Sequence, residues 1–126
     1  MKNQPHPTHQ RRDILASSPA PLPHHDIIVI LEDTCMGDRL RLRYVPDRDV
    51  LDPESLTAYV DALGKISFAS LEETAQLILE DINDRIIPRW LEVTLSRHAD
   101  QMRHQVRIED RQPHWKDRGL LDRLEP

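Results

Sequence analysis

The chain has 126 residues, 38% of them apolar and 31% charged, so it is one domain with a modest core. It has no run of about 18 apolar residues to cross a bilayer, residues 1–20 lack the apolar stretch of a secretory signal, and the single Cys35 excludes a disulfide framework; a cytoplasmic protein is expected. The net charge of −5 is concentrated between residues 26 and 93, where 15 acidic side chains face 7 basic ones, so neither nucleic acid nor membrane is an expected partner.

Residues 1–25 are rich in Pro, His and Ser and read as a flexible N-terminal arm, because they bury too little apolar surface to offset ordering entropy. The domain is expected over 26–110. Ile27 to Leu31 reads as a buried strand, Glu32 to Asp38 as a turn around Gly37, and Arg39 to Val45 as a half-buried strand. In the second strand Leu40, Leu42 and Tyr44 alternate with Arg39, Arg41 and Arg43, so the two strands form an antiparallel hairpin. A helix follows from Pro53 to Gly64, with Leu56, Tyr59, Val60 and Leu63 on one face. Ser70 and Glu73 form a capping box for a second helix. Its stripe of Leu71, Ala75, Ile78, Ile82 and Ile86 runs until Pro88 stops it.

Two more strands alternate through Leu91, Val93 and Leu95 and through Met102, His104, Val106 and Ile108. Residues 111–126 read as a polar tail with a short helix between Trp115 and Leu124. The order strand–strand–helix–helix–strand–strand predicts an α+β fold, a four-stranded antiparallel sheet with two helices on one face. Such a layer leaves two sheet edges, and closing several copies into a barrel removes them, so a homo-oligomer is expected.

Several residues carry a family resemblance. Tyr44-Val45-Pro46-Asp47, Ser55-Leu56, Tyr59, Glu72 and Pro88-Arg89-Trp90-Leu91-Glu92-Val93 resemble the 7-cyano-7-deazaguanine reductases (QueF), the nitrile reductases of queuosine biosynthesis, over about residues 39–95. The resemblance implies the tunnelling fold, assembly into barrels and sites at subunit interfaces. It implies that Glu72 binds the N–H edge of a 7-deazaguanine, purine or pterin-type ring, a geometry suited to paired charge-assisted hydrogen bonds. It also implies Cys35 as the nucleophile that forms a thioimide with the nitrile, Asp38 as the acid, and NADPH as the hydride donor.

The sequence departs from that pattern at the chemistry. The family's Cys-Pro-Val-Thr-Gly-Gln-Pro-Asp segment is replaced by Thr34-Cys35-Met36-Gly37-Asp38, and its His-Glu pair by Leu71-Glu72. The Glu-x-Lys-Ser-x-Lys pattern that serves NADPH reads Asp52-Pro53-Glu54-Ser55-Leu56-Thr57, without either lysine. These departures argue against nitrile reduction, and a non-catalytic assembly protein is the alternative reading.

Plainer roles compete at each position. Cys35 needs a lowered thiol pKa to act, and Glu32, Asp33 and Asp38 work against that, so an ordinary turn cysteine competes with a nucleophile. Glu72 also complements the helix dipole, as Glu73 would. The histidines show no converging ligand set, and no metal is expected. His104 reads as a wall residue, and Trp90 and Tyr44 as core filling rather than a stacking platform. Arg97, Arg103, Arg107, Arg111 and Lys116 form a basic edge that reads as a solvated strand face or a phosphate contact.

Overall fold

In the computed structural model, which describes residues 11–22 and 24–126, a four-stranded antiparallel sheet carries two helices on one face. The elements are β1 (Ser17–Pro19), β2 (Val29–Cys35), β3 (Asp38–Val45), β4 (Asp49–Leu51), α1 (Pro53–Leu63), α2 (Leu71–Ile86), β5 (Trp90–Ala99) and β6 (Met102–Arg111). The large sheet has the order β2-β3-β5-β6, and β1 and β4 form a separate two-stranded ribbon.

The β2–β3 hairpin turns on Met36 and Gly37, both at positive φ (53° and 84°), the backbone of a type I′ turn. That two-residue turn carries β2 on to Cys35, beyond the expected end at Leu31. Asp33 faces the helix side within the strand and accepts a hydrogen bond from the Thr57 hydroxyl of α1 at 2.9 Å. Polarity alone made this segment look like loop.

Pairing of β3 with β5 sets Leu40 opposite Leu95, Leu42 opposite Val93 and Tyr44 opposite Leu91. These six side chains are buried beneath the helices, as the period-2 pattern predicts. α2 lies over β5 and β6 and buries the expected stripe from Leu71 to Ile86. Its N-terminus is capped by the Ser70 hydroxyl, which accepts from the Glu73 N–H at 3.1 Å, and Ile87 ends it in the left-handed region before Pro88. α1 begins on Asp52 and Pro53 and ends at Gly64.

Three expectations need correction. The arm expected over 1–25 does not extend to residues 11–20. Leu15 is in the core, and β1 pairs with β4. The Arg11 guanidinium is buried against Asp81 through hydrogen bonds of 2.6 and 3.0 Å. Asp81 in a helix core needs a countercharge, and Arg11 supplies it from the N-terminal segment. Residues 1–10 and 23 of that arm lie outside the described residues.

Trp90 is buried but does not join the core under the helices. It lies on the opposite face of the sheet with Glu92 and Thr94, its ring beneath the Arg43 guanidinium and its N–H donating to Glu109 at 2.7 Å. Tyr44 does fill the helix–sheet core. In the tail, the helix expected over 115–124 is reduced to one 3-10 turn, Leu121–Arg123.

Candidate functional site

Strand register collects the candidate residues at one end of the helix-facing side. Cys35 pairs with Asp38 across the hairpin, and Arg97 pairs with His104. Asp38 accepts two hydrogen bonds from Arg97, at 2.9 and 2.8 Å. His104 Nε2 lies 3.3 Å from Glu72 Oε1 in the first turn of α2. Asp38–Arg97 and His104–Glu72 thus follow one another across the sheet end.

Glu72 is exposed to solvent. Its side chain is 64% exposed, that of His104 is 46% exposed, and the contact with His104 leaves most of the carboxylate's acceptor capacity to solvent. The neighbouring Glu73 instead accepts from the Ala69 N–H and closes the cap. The two acids of the first helical turn therefore have separate roles. Leu71, at the position of the family's histidine, is buried in the core. His104, expected as a wall residue, instead brings an imidazole to Glu72 from β6. Neither it nor Arg97 stood out in the sequence as a partner of Glu72 or Asp38. The usable signal was strand parity, since residues 93, 95 and 97 share one face and 104, 106 and 108 share the same face on the next strand.

Cys35 is differently placed. It is 1% exposed, and burial first, then Asp38 and Asp33, push its thiol up to about 11 from the ordinary 9.0. At neutral pH it is a protonated thiol in the core. Asp38 has both oxygens engaged as acceptors by Arg97.

The groove between the β2–β3 turn and α1 is lined by Glu54 and Thr57, the two positions at which the pattern implied for NADPH has its lysines. Its volume is about 510 Å³, and its lining includes Asp33, Glu54, Thr57 and Asp61 with no basic residue. Three carboxylates repel a 2′-phosphate, so these residues do not fit NADPH. Among the described residues, no group of three or more His, Cys, Asp or Glu side chains could hold a metal. No helix among them is long and apolar enough to cross a membrane.

No protein-family model matches the chain, and no curated protein matches it. Among solved structures the chain is similar to the archaeosine synthase QueF-Like in its apo form, with a TM-score of 0.51 and 20% identity over 75% of this chain and 91% of that one. At that identity the likeness shows the fold. The two-strand, two-helix, two-strand arrangement is the QueF-like tunnelling fold.

Proposed function

We propose that this chain is a binding member of the QueF-like tunnelling-fold proteins, taking a 7-deazaguanine, purine or pterin-type ring through Glu72 where two subunits meet. The observation that carries the reading is the open carboxylate of Glu72 at the sheet rim, with the His104 imidazole beside it. Two parallel N–H donors on a guanine-like ring match two carboxylate oxygens, and such charge-assisted pairs are strong. A solved structure to which it is similar is named as an archaeosine synthase, which supports a ring of that class.

A site exposed this far needs a second wall. β2 and β6 are the sheet edges, and β6 spans Met102–Arg111 with mostly exposed side chains. An unpaired edge of that length favours pairing with another copy, which supports a homo-oligomer and a site shared between subunits.

Binding without nitrile reduction is favoured by two observations, the protonated buried Cys35 and the acidic lining of the groove beside α1. Equilibrium dialysis with 7-cyano-7-deazaguanine tests the proposal. The wild-type protein is expected to retain the ring and Glu72→Gln to lose it. Intact mass after the incubation is expected to be unchanged, because no thioimide forms. Failure of the wild-type protein to retain the ring at millimolar concentration contradicts ring binding, and a Cys35-dependent mass gain contradicts the non-reactive reading.

A further inference from the structure

The face of the sheet opposite the helices holds a second polar site. Register places Arg41 opposite Thr94 and Thr94 opposite Arg107, so a threonine sits between two guanidinium groups across three strands. They line a groove of about 420 Å³ together with Arg39 and Arg103, and its lining side chains include one carboxylate, that of Glu32, which Arg39 holds at 3.2 Å. That volume falls in the range of small-molecule sites.

Two buried polar atoms in this groove lack a partner among the described residues. Thr94 is only 5% exposed and its hydroxyl is unpaired, as is Nε of Arg41. A buried unpaired donor costs about 1–3 kcal/mol, so these atoms suit an acceptor supplied from outside. Arg41 already donates to a main-chain oxygen of Pro126 at 3.0 Å, and Arg43 donates to the carbonyl oxygen of Glu125. The face therefore gathers oxygen acceptors, and guanidinium groups bind charged oxygens most strongly. Glu92 is held bidentately by Arg43 at 2.8 and 3.0 Å and stands 3.8 Å from Nε of Arg107, so it offsets only part of the groove's positive charge.

We propose that this groove is a binding site for a compact phosphorylated small molecule, with Arg41, Arg103 and Arg107 holding the phosphate oxygens and the Thr94 hydroxyl donating to one of them. Guanidinium forks match phosphate geometry. The His98 imidazole is the one aromatic ring among the groove's lining residues, with no Phe, Tyr or Trp beside it, so the groove offers little platform on which successive nucleic-acid bases stack, and the small anion is the better fit. The site lies on the other face from Glu72 and stands independently of the ring-binding reading.

Calorimetric titration of the full chain with inorganic pyrophosphate and, separately, with β-glycerophosphate tests it. At least one is expected to bind, more weakly as salt is raised, and the tighter of the two tells a diphosphate from a phosphate monoester as the source. Thr94→Val is expected to weaken that binding about threefold to tenfold. Arg107→Gln is expected to weaken it about tenfold or more, while Glu92 keeps its Arg43 partner. Circular dichroism of both variants confirms that they are folded. Absence of binding by both anions at millimolar concentration overturns the proposal, as does binding that neither substitution alters. Preferential, Arg107-dependent binding of a single-stranded RNA oligonucleotide also overturns it.

Discussion

Asp81 and Glu72 are both carboxylates on α2, and they differ in every respect that separates support from recognition. The Asp81 side chain is 0% exposed and accepts from Arg11, Arg12 and the Tyr59 hydroxyl, so its acceptor capacity is spent. Glu72 stands at the helix start with a single half-exposed imidazole beside it. A buried charge that is fully hydrogen-bonded fixes packing, whereas an exposed one with free lone pairs can take a ligand. The contrast also separates two parts of the molecule. The N-terminal segment is locked under α2, and the far end of the sheet is left open.

The largest effect is expected at Asp81. Asp81→Asn should lower stability by about 3–5 kcal/mol in chemical denaturation, because Arg11 is left as a buried, uncompensated charge. A loss under about 1 kcal/mol would break the comparison by showing that the cluster is not structural. Tyr59→Phe is a milder test of the same cluster. It removes one hydrogen bond to a charged group and should cost about 1.5–3 kcal/mol.

Cys35 sharpens the contrast through pH. Its folded pKa lies above its unfolded value, so the unfolded chain releases the proton first. The folded state therefore loses stability as pH rises from 9.0 toward about 11, by on the order of 2 kcal/mol, with no such loss below that window. Tyr44 and Tyr59 are also raised by burial and act in the same direction above the ordinary tyrosine value of 10.0. Comparing denaturation profiles of wild type and Cys35→Ala isolates the thiol's share. At neutral pH Cys35 should resist iodoacetamide until the protein is unfolded. Rapid alkylation of the folded protein would show an accessible thiolate and return Cys35 to the candidate site.

The smallest expected stability effect is at Glu72. Glu72→Gln removes a favourable helix-dipole interaction worth about 0.3–1 kcal/mol and touches no core contact.

Much of the fold was legible because its signals are local. Alternation marked β3, β5 and β6, and the Ser70–Glu73 spacing and the apolar stripe marked α2. What escaped depends on pairing across long sequence separations. Arg11 reads as an arm residue until Asp81 is placed beneath it. Trp90 reads as core until register shows that it shares a face with Glu92 and Thr94. At the candidate site, Glu72 entered through a family resemblance, but its neighbour His104 comes from β6. Arg97 reaches Asp38 only because β5 pairs with β3. The thiol state of Cys35 follows from burial, which a turn-like sequence around Gly37 concealed.

The most direct test measures ring affinity and stability side by side for Asp81→Asn and Glu72→Gln. Asp81→Asn is predicted to lose much stability while its folded fraction binds the guanine-like ring as wild type does. Glu72→Gln is predicted to keep nearly all its stability and to lose the ring. Equal ring affinity in wild type and Glu72→Gln would contradict the account.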